Sequence, residues 1–198
     1  MMLENNLNNN GEMNITSLTM DEKKIELVQQ EYYSSHPKNF FFKKTQKMEC
    51  AKRVSEQMDL EQLIQRAVFI VSESNVIFYD YPLFKTFVHD NNYLLVYSHF
   101  ISLVHVLVKE YGSFEIHCNM KSFSISACHR YYSMIATTID ENQLFTANMT
   151  KLIIYHTPNI MEKLTQLLHN NIRKFVDRVE YVSKEESDGR ISSLLSLL

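Results

Sequence analysis

The sequence predicts an α/β fold: a mixed, mostly parallel sheet flanked by helices, with an N-terminal helical lobe. Three observations predict it. Helix-period segments fill the first third of the chain, and strands and helices alternate afterwards. Ala67–Val71 and Val76–Asp80 are β-branched or aromatic runs separated by Ser72-Glu73-Ser74-Asn75, the pattern of an antiparallel hairpin. Lys151–Ser183 reads as strand, helix, strand with no hairpin turn, which favours parallel pairing across a crossover.

Each element has a local reason. Residues 1–18 are Asn-rich without a period and read as a flexible leader. Thr19 and Glu22 form a capping box that opens a helix through about Tyr33, broken at Ser35-His36-Pro37. A second helical region runs from about Thr45 to Arg66, with a restart at Asp59 matched by Gln62, so that residues 19–66 form the lobe. Residues 67–198 hold the α/β part. After the hairpin come a short helix behind Pro82 and a helix Tyr93–Tyr111 ended by Gly112. A strand Phe114–Met120 and a helix from about Ser126 to Asp140 follow. In the last unit Leu152–Tyr155 is a strand, Pro158 suits the first position of a helix, and Arg178–Ser183 is a second strand. Ile160, Leu164, Leu167, Leu168, Asn171, Ile172 and Phe175 keep a 3, 4, 7, 8 spacing, which gives that helix one apolar face.

Bulk properties exclude several classes. The chain has 198 residues and 45% apolar residues, enough for one domain burying roughly 70% of its unfolded surface. A net charge of −3 calls for no nucleic-acid partner. Only three Gly leave no room for the common Gly-rich nucleotide loops. Cys50, Cys118 and Cys128 have no paired or metal-type spacing, and the acidic, Asn-rich start lacks a signal peptide. The expected location is therefore cytoplasmic, with access to a membrane surface. Tyr93–Val108 is shorter than the roughly 18–20 apolar residues of a membrane span and carries Ser98, His99, Ser102 and His105. It reads as a buried helix, apolar nearly all round. The Asn-rich, Ala-poor usage resembles AT-rich coding, as in some protists or large DNA viruses.

Two segments resemble the CRAL-TRIO family of lipid-binding domains, found in phosphatidylinositol-transfer and retinal- or tocopherol-binding proteins. The family's strand ending in Asp-Leu-Lys-Gly-Phe-Ser is similar to Asn119-Met120-Lys121-Ser122-Phe123-Ser124. Its Tyr-Pro-Glu turn, Lys-Leu-Tyr-Ile-Ile strand and Asn-x-Pro ahead of a gate helix resemble Phe145-Thr146-Ala147, Lys151–Tyr155 and His156-Thr157-Pro158. The chain departs at Asn119, Ser122, Phe145–Ala147 and His156, and it lacks the family's C-terminal Leu-Pro…Tyr-Gly-Gly signature. The resemblance covers roughly Phe114 to Ser183. It implies a non-enzymatic lipid-binding or lipid-transfer module, with a phospholipid or other hydrophobic ligand between the sheet and a gate helix Asn159–Val176. The implied lining is Phe123, Ile125, Ile154, His156, Ile160, Leu164, Leu167, Leu168 and Ile172. Some divergent members are protein scaffolds, so the alternative is a filled core and a protein partner.

The residues themselves leave choices open. An apolar helix face seals a solid core as readily as it lids a cavity. Phe40, Phe41 and Phe42, flanked by Lys38, Lys43, Lys44, Lys47, Lys52 and Arg53, are candidate membrane contacts. A hydrophobic triplet more often packs inside, and that reading is the favoured one. His156 either contacts a headgroup or caps a turn. His117 and Cys118, adjacent on a strand, point to opposite faces and cannot share a metal ion. Cys128 and His129 do not face one another on a helix, so Cys128 reads as a buried thiol. No catalytic constellation, metal or cofactor is expected.

Overall fold

A computed structural model describes the backbone of residues 9–39, 41–140, 143–157 and 176–196. The fold is α/β around a five-stranded sheet in the order β1-β2-β3-β4-β5. β1 (Val68–Ile70) pairs antiparallel with β2 (Val76–Asp80), closing the expected hairpin with Glu73 in left-handed backbone. β3 (Phe114–Asn119), β4 (Met149–Tyr155) and β5 (Val179–Tyr181) then join in parallel. The parallel pairing of Leu152–Ile154 with Val179–Tyr181 is the pairing that the strand–helix–strand pattern favours.

The lobe consists of α1 (Asn9–Ser35), α2 (Lys43–Gln57) and α3 (Leu60–Ala67). Asp59 caps α3 by accepting from the Gln62 N–H at 3.0 Å, as its position before Gln62 predicts. The helix α1 starts ahead of the Thr19–Glu22 box, so the leader expected through residue 18 is helical from Asn9. No proline interrupts 9–18, and an established helix propagates at one hydrogen bond per residue. α4 (Tyr81–Phe87) carries Pro82 in its first turn, and α5 (Tyr93–Tyr111) ends at Gly112 with φ +74°. α6 (Ile125–Asp140) and α7 (Gln143–Asn148) lead into β4.

Strand alternation divides the sheet into two faces. Val68, Ile77, Phe114 and Ile116 join one large core with Ile25, Val54, Leu63, Phe84, Phe87, Val104, Leu107, Cys128, Tyr131 and Phe145. The lobe thus shares its core with the α/β part. Each crossover from β2 to β3 and from β3 to β4 advances one strand in the same direction. With right-handed connections both crossovers must lie on one face, which is where α4 to α7 pack. The other face, with Phe69, Val76, Phe78, Ile153 and Tyr155, is covered by α8 (Lys184–Leu195) through Ile191, Leu194 and Leu195.

Three expectations need correction. α5 is not buried all round: Leu94 and Leu95 are 57% and 56% exposed, and only Val96, Val104 and Leu107 are buried. It lies on the outer layer, where one side of any helix meets water. Phe145–Ala147 form the short helix α7 rather than a turn, because the buried Phe145 packs on Phe114 and Phe100. The C-terminal stretch, to which the sequence reading assigns no element, forms the helix α8 over Lys184–Leu195.

Candidate functional site

In open α/β sheets ligands gather outside the carboxyl ends of the parallel strands. Here those ends carry a dense polar arrangement. At the end of β2, Asp80 sits across the register from Asn119 at the end of β3, and Asn119 Nδ2 donates to Asp80 Oδ1 at 2.7 Å. Burial raises the Asp80 carboxyl above its usual range, opposed by the Asn119 hydrogen bond. Beyond β3 the chain turns through Lys121 and Ser122, and Ser122 takes left-handed backbone at φ +66°. That turn brings the Ser122 hydroxyl to Lys85 Nζ of α4, tying the β2 and β3 ends together. At the end of β4, His156 is also left-handed, at φ +52°. Its backbone N–H donates to Ser187 Oγ at 2.6 Å and its Nε2 lies 3.1 Å from Asp188 Oδ1, both on α8.

Positive charge collects beside this rim. Lys85 lies 5.7 Å over the Tyr81 ring, Tyr81 meets Tyr131 edge-on at 6.4 Å, and Arg130 lies 5.4 Å over Tyr131. Burial and then the neighbouring Arg130, Lys43, Lys85 and Lys38 hold the Lys47 ammonium below its ordinary range. Burial does the same for Lys85, with Asp80 opposing and Arg130 assisting. Several cations elsewhere are paired: Arg53 with Glu31, Lys52 with Glu56, Arg66 with Asp21, and Lys151 and Arg190 with Glu180. Among the described residues, Lys38, Lys43, Lys47, Lys85 and Arg130 form no ion pair with a carboxylate. A cavity of about 30 Å³, room for about two waters, lies beside Arg130 and is lined by His89, Asp90, Tyr93 and Tyr131.

The loop before α2 presents Phe41 and Phe42 next to these cations. Gln46 braces it: its Oε1 accepts from the Asn39 N–H at 2.9 Å and its Nε2 donates to the Pro37 carbonyl at 3.0 Å. The Asn39 side chain accepts in turn from the Phe41 N–H at 2.9 Å. Phe41 and Phe42 are 87% and 62% exposed. This corrects the favoured reading, in which the triplet packs inside. The loop is held at its base by polar side-chain bonds, and both rings stand largely outside the core. Lys43 and Lys44 are exposed beside them, and Phe40 lies outside the described residues.

The other predicted residues divide between the two faces. Phe123 and Ile125 are half-buried against the large core, Phe123 edge-on to Tyr81 at 4.8 Å. Ile154 is buried on β4. His156 is buried too, but its side chain engages α8. Ile160, Leu164, Leu167, Leu168 and Ile172, with the gate segment as far as residue 175, lie outside the described residues, and Val176 opens a 3-10 turn ahead of β5. Cys118 packs into the large core while His117 faces the other way, as strand alternation requires. Cys128 is a buried thiol, and burial raises its pKa. Among the described residues no group of His, Cys, Asp and Glu could hold a metal ion, and no helix is long and apolar enough to cross a membrane.

Two constellations go beyond the sequence reading. Ser55 Oγ lies 3.1 Å from His89 Nε2, a distance open to nucleophilic catalysis. His89 Nδ1, however, accepts from the Asn91 N–H at 3.3 Å, so Nε2 carries the proton and donates to Ser55. Ser55 in turn donates to the Lys52 carbonyl at 2.7 Å, and the pair is structural. On the α8 face, Tyr155 donates to His117 Nδ1 at 2.8 Å, and His117 Nε2 faces Glu115 at 3.4 Å. Burial lowers the His117 pKa against the pull of Glu115, which keeps the imidazole neutral near pH 7. Lys85 and Arg130 were missed because only the fold brings them to Lys47, from distant points of the chain. The helix α8 did have a signal. Ser183 and Glu186 form a capping box, and Ser183 Oγ accepts from the Glu186 N–H at 3.3 Å.

No family model, curated protein or solved structure matches this chain.

Proposed function

We propose that this chain is a non-enzymatic lipid-binding module, a divergent relative of CRAL-TRIO domains, that works at an anionic membrane surface. The carrying observation is the braced corner where Phe41 and Phe42 stand exposed beside Lys38, Lys43 and Lys44. Aromatic rings favour the headgroup–acyl boundary, and each lysine near an anionic surface contributes about 1 kcal/mol. The architecture adds support, since a mixed, mostly parallel sheet behind a helical lobe is what the CRAL-TRIO resemblance implies. In this reading an apolar chain is held against the sheet, and Ile160, Leu164, Leu167, Leu168 and Ile172 supply the covering apolar surface. The ligand gains about 0.8 kcal/mol for each CH₂ it buries.

Two measurements test the proposal together. Organic extraction of the purified protein followed by mass spectrometry should recover a stoichiometric lipid. Flotation should show binding to phosphatidylserine-containing vesicles and none to neutral phosphatidylcholine vesicles. A protein that carries no lipid, takes none up from vesicles and does not float with anionic ones overturns the reading. That result would leave a protein-interaction scaffold, for which the exposed Leu94 and Leu95 of α5 offer a contact surface.

A further inference from the structure

We propose that Lys47, Lys85 and Arg130 together form a binding site for a phosphate monoester, presented by a membrane lipid headgroup. The three side chains come from α2, α4 and α6, so the fold, not a local run, gathers them. The low proton affinity of Lys47 and Lys85 comes first from burial, with the neighbouring Arg130, Lys43, Lys85 and Lys38 adding to it at Lys47 and Arg130 at Lys85. Asp80 offsets part of this at Lys85, but its carboxyl is engaged by Asn119, and neither it nor Asp90 forms an ion pair with any of the three. Lys85 donates its hydrogen bond to a neutral group, the Ser122 hydroxyl. Arg130 Nε is buried with no protein acceptor.

A phosphate monoester matches this arrangement because it carries about −1.5 to −2 charge near pH 7 and three strong acceptor oxygens. A carboxylate or a phosphodiester brings a single charge. The cavity beside Arg130 admits water but not a phosphate, so the group binds on the open side, bridging the ammonium and guanidinium groups. The headgroup source follows from position. Lys43 adjoins both Lys47 and the exposed Phe42, so rings seated in a bilayer put the cations at headgroup level. This source rests on the membrane reading above, whereas the phosphate chemistry does not.

Glycerol 3-phosphate and inorganic phosphate, titrated at constant ionic strength, test the chemistry by nuclear magnetic resonance. Phosphatidate and phosphatidylserine vesicles of matched surface charge test the source. The expected result is saturable shifts around Ser122 and Arg130 and at least about tenfold tighter binding to phosphatidate. Lys47→Gln, Lys85→Gln and Arg130→Gln should each weaken phosphatidate binding about tenfold, the loss of one charge-assisted hydrogen bond. Lys109→Gln, the same charge change on the exposed end of α5, should weaken it less than about twofold. Removing one crowded cation also relieves repulsion. Lys47→Gln should therefore melt no lower than the parent in phosphate-free buffer, yet lose the stabilisation that phosphate confers. Equal losses in Lys47→Gln and Lys109→Gln, or no preference for phosphatidate together with no saturable phosphate shifts, overturn the site. Saturable binding of soluble phosphate with no vesicle binding supports the site with a soluble ester as its ligand, and removes the membrane reading alone.

Discussion

Replacing Phe41 and Phe42 together by Ser separates docking from packing more cleanly than any other change. Burying a phenylalanine from full exposure is worth about 1.5–3 kcal/mol. At 87% and 62% exposure the two rings offer about one and a half rings of solvent-exposed surface, hence about 2–4 kcal/mol on entering an interface. That is a loss of about 30- to 1,000-fold in vesicle partitioning. Stability should change by less than about 0.5 kcal/mol, because neither ring is buried and Gln46 continues to brace the loop. The assay is flotation on phosphatidylserine vesicles over a range of lipid concentrations, with a thermal melt on the same samples. Lys43→Gln with Lys44→Gln, by contrast, should lose about 1 kcal/mol per charge, and high salt should erase that loss. Partitioning within about threefold of the parent, or a melt several degrees lower, would show that the rings hold the fold and not the membrane.

Phe84 is fully buried with rings of Tyr79, Tyr81, Phe87 and Tyr131 around it; Phe84→Ala should cost about 3–5 kcal/mol and lower the melting temperature by about 10 °C. Burial lowers the proton affinity of His117 and His89, so the unfolded chain binds more protons below its own histidine pKa of about 6.5. Stability is therefore full above that pH and declines as pH falls from it through the lowered folded-state values. Asp80, raised by burial, acts in the opposite sense, so the diagnostic is a shallower urea-midpoint slope in His117→Gln than in the parent. Ser183→Ala removes the cap of α8 and should cost about 1 kcal/mol, read as a lower urea midpoint with unchanged m-value.

Elements with local chemistry were legible in the sequence. Asp59 before Gln62, Gly112 behind an apolar helix and the Ser72–Asn75 turn each settle a boundary through one side chain or one backbone angle. The parallel pairing of β4 and β5 was legible because a strand–helix–strand run with no hairpin has few other solutions. Exposure was less legible, since periodicity reports which residues are apolar and not which layer a helix occupies. The apolar stretch of α5 therefore read as interior while Leu94 and Leu95 face water. The candidate site was legible in half. Phe41, Phe42 and their lysines adjoin in sequence, but Lys85 and Arg130 reach Lys47 only through the packing of α4 and α6 around Tyr81 and Tyr131.

The sequential strand order explains why the chain needs α8. The crossovers from β2 to β3 and from β3 to β4 advance in one direction and, being right-handed, stack α4 to α7 on one face, which leaves the other to be covered. That other face carries Phe69, Val76, Phe78, Ile153 and Tyr155, too much apolar surface to leave in water. Burying five such side chains is worth about 7 kcal/mol or more, comparable with the whole stability of a domain. A helix following β5 is the nearest element able to cover them, and its composition matches the task. Ile191, Leu194 and Leu195 meet the apolar strip, while Arg190 reaches Glu180 and Asp188 reaches His156 over the polar part. The helix therefore closes the sheet and also fixes His156 at the end of β4. The rim at the carboxyl ends is thus anchored from both faces, by α8 beneath His156 and by the Lys85–Ser122 tie above β3.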